Sequence, residues 1–309
     1  MNLFIAGVTG LLGQALVRHW SKQSDVQILG IGRRELSAVE GLFRSTQNLQ
    51  YIDHDLSATD NSFLEHLNEF KPDLIINCIG LVDLQLCEEN PQLAELINVN
   101  PAIHLAKYAS NHKIQLIHIS TDQVFDGHKL NDYSEEDKVS PINVYGRTKL
   151  KAEQFVNNIC PNALITRTNI VGFRGLSNRP TFVEWLCESL KTKANVTLFD
   201  DFLTSSIHVD DLADLLDVAY KKEIAGLYNI ATRDTVSKYE FGKRLAKGLR
   251  LSSEQITRGS MSKAMLTPPR PLNIGLSVVS VEQALCRPLP TTAQTIDKIV
   301  RDYHLRDSF

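Results

Sequence analysis

The chain is poor in the features that mark several protein classes. Of its 309 residues only five are cysteines (Cys78, Cys87, Cys160, Cys187 and Cys286), and no two stand at CxxC spacing. So odd and scattered a set excludes a disulfide framework and a zinc ribbon, and reads as a reducing compartment. No stretch approaches the roughly 18 to 20 charge-free apolar residues of a helical membrane span. The apolar opening MNLFIAGVTGLLGQALV is interrupted by three glycines and has no basic residues ahead of it, unlike an export signal. A soluble cytoplasmic protein is the expectation. Neither sign of charge dominates, with 33 Lys+Arg against 36 Asp+Glu, so nothing draws the whole chain to nucleic acid or a membrane surface. The nine histidines form no HxH or HExxH pattern, and no metal site is expected. Internal repeats and low-complexity segments are also missing.

What is present is an ordinary globular composition, 43% hydrophobic and 22% charged. A chain of this length sits near the size at which a single core stops growing, which suggests one large domain and a smaller lobe. Over the first 120 or so residues, short apolar runs alternate with amphipathic stretches. Strands are expected at 3–6, 26–31, 49–52, 74–78 and 114–119, and helices at 11–20, 63–70 and 93–110. Continuous apolar strands separated by helices indicate an α/β fold, a doubly wound parallel sheet covered on both faces. In such sheets ligands bind beyond the carboxyl ends of the strands. Later helices are expected at 148–158, 182–191, 210–222, 238–250 and 291–303. The expected division is an N-terminal α/β domain over 1–165, joined by returning segments near 200–230, and a smaller lobe mainly over 166–309.

Gly7, Gly10 and Gly13 follow the first strand and open the first helix. In that context Gly7 allows the tight turn, Gly10 a close approach to a pyrophosphate, and Gly13 helix–strand packing. The N–H groups of Leu11, Leu12 and Gly13 then face the phosphates. The spacing is GxxGxxG, and an ordinary strand-to-helix turn is the alternative. At the end of the second strand an NAD site would carry Asp or Glu for the ribose 2′-hydroxyl. Gly32-Arg33-Arg34 stands there instead. Paired guanidinium groups suit a 2′-phosphate, so NADP(H) is expected over NAD(H). Two solvated arginines are the other reading.

Tyr145 and Lys149 are four residues apart, which places both on one face of a helix. A free tyrosine, with a pKa near ~10, exchanges protons poorly at neutral pH, and an adjacent ammonium lowers that value. Tyr145 can then protonate a carbonyl oxygen as hydride reaches its carbon. Thr121, just past the strand at 114–119, can hydrogen-bond the same oxygen, or can simply be a turn residue. His118, inside that strand, reads as a core histidine. Between 238 and 270 eight Lys or Arg face two Glu. That stretch is either a solvated helix face or a positive rim for a diphosphate, with Arg270, held between prolines, its best candidate. A nucleic-acid groove is disfavoured, since no aromatic residues alternate with the charges.

Together the glycine turn, Ser120-Thr121-Asp122 and the Tyr145/Lys149 pair resemble the extended short-chain dehydrogenase/reductase superfamily. Within it the chain is most similar to the dTDP-4-dehydrorhamnose reductase family. The likeness is carried by ISTDQVFDG (119–127), YSEEDKVSPINVYGRTKLKAE (133–153), INCIGLVDLQLCEENP (76–91), RPLN (270–273) and IHVDDLADLL (207–216). It implies an NAD(P)-binding Rossmann domain and a C-terminal lobe that grips a nucleotide sugar. The implied reaction is reduction of the C4 ketone of a deoxyhexose, as in dTDP-rhamnose biosynthesis. By motif match Thr121, Tyr145 and Lys149 are catalytic, and Asp55 and Leu56 lie by the adenine. Cys78, Ile79 and Gly80 border the cofactor, while Val82 and Asp83 lead to the substrate.

Three departures fall on the substrate side. Gln123 replaces a usual Tyr, Ile79-Gly80-Leu81 a usual Ala-Ala-Tyr, and Asn169-Ile170 a usual Ser-Trp. Related 4,6-dehydratases have Glu at position 123, and an amide cannot take a proton as that Glu does, so dehydration is disfavoured. Two other functions stay open. One is a non-catalytic, cofactor-binding regulatory subunit, like that of methionine adenosyltransferase. The other is a reductase or epimerase of a different nucleotide sugar. The resemblance also allows a homodimer.

Overall fold

Seven strands form the central sheet of the computed structural model, which describes residues 1–33, 43, 46–55, 63–175 and 179–306. In chain order they begin with β1 (Asn2–Ala6), β2 (Gln27–Gly32), β3 (Leu49–Asp53), β4 (Leu74–Asn77), β5 (Gln115–Ile119) and β6 (Leu164–Arg167), and end with the strand Gly226–Asn229. Their spatial order is β3-β2-β1-β4-β5-β6 followed by Gly226–Asn229. All pairings from β3 to β6 are parallel. This is the doubly wound arrangement that the continuous apolar runs imply. Leu3, Phe4, Ile5 and Ala6 are wholly buried because helices cover both faces of β1. One face packs Phe4, Leu29, Ile75 and Leu116 against Phe63, Leu105 and Val156 of the flanking helices.

The first helix, α1 (Leu11–Trp20), and the helix Phe63–Phe70 have the bounds that periodicity predicts. The expected helix at 93–110 is instead two, Pro91–Asn98 and Asn100–His112, preceded by a short one, Leu84–Glu89. Pro101 explains the break. It has no N–H to give the carbonyl of Ile97, so the helix cannot run through that turn. Asn90 caps the segment at Pro91 by accepting from the Leu93 N–H at 3.0 Å.

The chain divides into two units. The first comprises 1–121, 143–166 and 213–228, and the second 122–142, 167–212 and 229–309. Residues 122–142, which the sequence places with the first region, thus fold with the second. There Tyr133 exchanges backbone hydrogen bonds of 2.8 Å with Gly275 and Ser277. The second unit has its own core, in which Val183 and Leu186 pack with Leu198, Phe241, Leu245 and Ile299. Its strands are short, such as Val196–Phe199 beside Ile256–Gly259 and Leu203–Thr204 beside Val236–Ser237. The helix Phe182–Lys191 starts with a capping box of Thr181 and Glu184. Among the described residues no helix is long and apolar enough to cross a membrane.

Close packing of α1 on the turn after β1 depends on Gly13. A methyl group there would lie 2.4 Å from the Gly7 carbonyl oxygen and 2.6 Å from the Val8 Cα, and backbone cannot yield as a side chain can. Gly13→Ala is therefore expected to lower stability by about 1–3 kcal/mol in urea unfolding. Gly80→Ala, with nothing nearer than 3.7 Å, should change it far less.

Candidate active site

The turn after β1 lies where the sheet order reverses, between β1 and β4. Gly7 adopts φ +84, a region that side chains disfavour, and its missing Cβ would sit 3.1 Å from the Cys78 carbonyl carbon. The Gly7 and Val8 N–H groups both donate to Ile31 O, at 2.9 and 3.1 Å, tying the turn to β2. Gly10 is the N-cap of α1 and provides no side-chain cap, so the helix opens on bare backbone N–H groups at Leu11, Leu12 and Gly13. A glycine-lined cradle with a positive helix end fits the pyrophosphate of a dinucleotide.

Around that turn the other cofactor candidates fall as follows. Cys78, Ile79 and Gly80 follow β4 directly, and the Ile79 N–H donates to the Asn77 side chain at 3.1 Å. Arg33 is exposed directly after Gly32, the last residue of β2. Asp55 is exposed two residues beyond β3. Arg34 and Leu56 lie outside the described residues.

Thr121 is buried just past β5. Tyr145 and Lys149 share the helix Val144–Ile159, whose start is held twice. Asn143 accepts from the Gly146 N–H at 2.8 Å, and Glu88 accepts from the Val144 N–H at 2.7 Å. Tyr145 is buried against Leu81, Cys87, Ala94 and Ile97. The Asn98 amide donates to the Thr148 hydroxyl at 2.9 Å, which donates in turn to the Tyr145 carbonyl at 2.9 Å.

The Lys149 ammonium donates to the carbonyl of Ile119, two residues before Thr121. That bond fastens the helix bearing the Tyr/Lys pair to the strand end bearing the threonine. Burial lowers the Lys149 pKa to about 8, while Glu153 and Cys78 pull it back up. Glu153, one helical turn beyond Lys149, is buried and accepts from the Ser120 hydroxyl. The same burial pushes the Cys78 thiol up to about 12, with Lys149 opposing. His118 is held well below the usual imidazole value by burial and by Lys149. It is thus neutral, with Nδ1 3.2 Å from the Asn77 amide nitrogen, and belongs to the core. Glu153 escaped the sequence reading, although its i+4 spacing from Lys149 was available as a signal.

Of the substrate-side candidates, Val82 is 65% exposed on the first unit, and Asp83 caps the helix Leu84–Glu89 through the Leu86 N–H at 3.1 Å. On the second unit Gln123 lies in the 3₁₀ turn Asp122–Val124. The Asn169 amide donates to Asp122 at 2.6 Å and accepts from Ser206 at 2.8 Å, so both of its ends are engaged. Arg270 is exposed between Pro269 and Pro271. His208, Asp210 and Asp302 bring potential metal ligands within 4.8 Å of one another. The Asp210 N–H donates to His208 Nδ1 at 3.2 Å, however, which leaves the proton on Nε2, facing Asp302 at 3.2 Å. Neither nitrogen then keeps a lone pair for an ion.

Residues 1–305 match the family described as the RmlD substrate binding domain. The chain is 31% identical to a probable low-salt glycan biosynthesis reductase of Haloferax volcanii, over 94% of each chain. It is 27% identical to the dTDP-4-dehydrorhamnose reductase of Escherichia coli, again over 94% of each. Methionine adenosyltransferase 2 subunit beta of Xenopus laevis is 29% identical, over 90% of this chain and 81% of that one. Among solved structures, a dTDP-4-dehydrorhamnose reductase of Bacillus anthracis in complex with NADP superimposes with a TM-score of 0.82. It is 21% identical, over 97% of this chain and 99% of that one, and the likeness speaks to the fold.

The buried lysine sets a pH dependence with a definite sign. Its pKa is 10.5 in an open chain and about 8 in the fold, a difference worth on the order of 3 kcal/mol. Between those values the unfolded chain binds the proton and the folded one does not, so stability rises with pH across that window and the gain disappears below about 8. Measured against Lys149→Met by urea unfolding, the unmodified protein should gain stability from pH 8 to 10.5. Parallel curves would contradict the burial of a titrating ammonium.

Proposed function

Because the chain belongs to the RmlD substrate binding domain family, we propose that it is an NADPH-dependent reductase of a nucleotide-linked 4-keto-6-deoxyhexose. dTDP-4-dehydrorhamnose is the first substrate to test. The observation that carries this reading is the buried Lys149, one turn from Tyr145 and bonded to the strand end that runs into Thr121. When bound, the nicotinamide supplies hydride to C4 of the sugar. Tyr145 gives its phenolic proton to the ketone oxygen, and the Thr121 hydroxyl polarises that oxygen beforehand. Lys149 favours the phenolate left on Tyr145 and would hold the nicotinamide ribose. The alcohol forms with one hydride and one proton added across the carbonyl.

Gly7, Gly10 and the N–H groups of Leu11, Leu12 and Gly13 would hold the pyrophosphate, with Arg33 and Arg34 on a 2′-phosphate. Val82, Asp83, Gln123, Asn169 and Arg270 are the proposed contacts of the nucleotide sugar. No nucleic-acid or membrane partner enters this reading. A cytoplasmic homodimer is the form it favours.

A second reading is a cofactor-binding partner subunit that turns over nothing. It is favoured by the 29% identity to methionine adenosyltransferase 2 subunit beta and by the commitment of both ends of the Asn169 amide to Ser206 and Asp122.

Acid–base assistance of this kind contributes about 10²- to 10⁴-fold, so Tyr145→Phe should cost at least about a hundredfold in turnover with NADPH affinity nearly unchanged. Turnover close to that of the unmodified enzyme would end the assignment. Arg33→Ala should weaken NADPH far more than NADH in a fluorescence titration, and equal weakening would refute the 2′-phosphate contact.

A further inference from the structure

Lys238 opens the helix Lys238–Gly248, the end at which the helix dipole disfavours a cation. Its ammonium lies 4.8, 5.7 and 5.8 Å from the ring centres of Phe182, Phe202 and Phe241. Such an aromatic nest supports a cation only in part. The ammonium also donates to the Ser206 hydroxyl at 3.2 Å. Burial lowers its pKa to about 8, and the anion that pulls it back up is Asp122.

Between that cation and that anion runs a chain of hydrogen bonds with one possible direction. The Asp122 carboxylate only accepts, so Asn169 must turn its NH₂ toward it, at 2.6 Å. The Asn169 oxygen is then left to accept from the Ser206 hydroxyl at 2.8 Å. With its own proton spent, Ser206 offers lone pairs to Lys238 and to the Thr204 hydroxyl at 3.1 Å. Every donor in the series points from the ammonium to the carboxylate, so neither Asn169 nor Ser206 can reverse without breaking two bonds. Asp122 in turn begins the 3₁₀ turn that carries Gln123, since its carbonyl accepts from the Phe125 N–H at 3.2 Å.

We propose that Lys238 is a positioning residue for substrate recognition. Acting through Ser206 and Asn169 it holds the Asp122 carboxylate, and so sets the turn that presents Gln123 to the sugar of a nucleotide-sugar substrate. The inference rests on the proposed reductase for its substrate and on the second unit alone for its geometry. Loss of the ammonium leaves Asp122 without the far end of its network, and the turn loosens while the Tyr145–Lys149 machinery is untouched.

The test combines kinetics with NMR of the side-chain amides of Asn169 and Gln123 in the full chain. Lys238→Met and Ser206→Ala should both shift the two amide resonances. Each should raise KM for the nucleotide sugar about tenfold or more, the usual scale for losing a hydrogen bond to a charged group. Turnover number and NADPH affinity should stay within about threefold, and Lys238→Arg should recover most of the loss because it restores the charge. Ser206→Ala leaves the lysine and its aromatic nest in place, and so guards against a Lys238 variant that does not fold. Amide resonances that stay put in both variants would overturn the proposal, as would KM, turnover and NADPH affinity all failing together. If the unmodified protein reduces no keto-sugar nucleotide, the reductase reading falls by itself. The amide resonances then decide whether Lys238 holds the turn.

Discussion

The bond from the Lys149 ammonium to the Ile119 carbonyl is the constraint from which the candidate site hangs. It joins the helix Val144–Ile159 to the end of β5, and so fixes Tyr145 and the strand leading to Thr121 in one frame. Placing an ammonium in that frame is costly, and the fold offsets the cost locally. Glu153 stands one turn away, and Ser120 holds its carboxylate. His118 stays neutral beside them, so no second cation competes. The result is a lysine whose proton is loosely held, one helical turn from Tyr145.

The sheet brings the remaining parts to the same edge. In the order β3-β2-β1-β4-β5-β6 the succession of strands reverses between β1 and β4, the point at which ligands bind to sheets of this kind. There Gly7 backs directly on the Cys78 carbonyl, at a spacing that leaves no room for a side chain. Both follow from strands so buried that their ends are dictated by register, with Ala6 paired to Ile31 and to Asn77. The second unit works by a different principle. Its strands are short, and polar side chains linked through Asn169 and Ser206 tie its segments together.

This contrast explains what could be read from the sequence. Buried parallel strands leave continuous apolar runs, which is why β1 to β5 and the glycine turn were legible, and Tyr145 with Lys149 shows plain helical spacing. The division of the helix at Val99 was legible in principle from Pro101 and was outweighed by the apolar periodicity on both sides. Strands of two residues such as Ile170–Val171 have no period to detect. Nor could any local pattern have joined Asp122, Asn169, Ser206 and Lys238, which are spread over more than a hundred residues and meet only through tertiary structure. At Asn169 the motif carried no sign that the amide is tied to both Asp122 and Ser206.

We propose that the first unit holds a site for hydride transfer to a sugar ketone. Its most direct test is isotopic. NADPH deuterated at the reactive face of C4 would be incubated with the purified protein and dTDP-4-dehydrorhamnose, and the product sugar examined by mass spectrometry. One deuterium is expected, located at C4 of the reduced sugar. Bound NADPH that never passes its label to the sugar would contradict it.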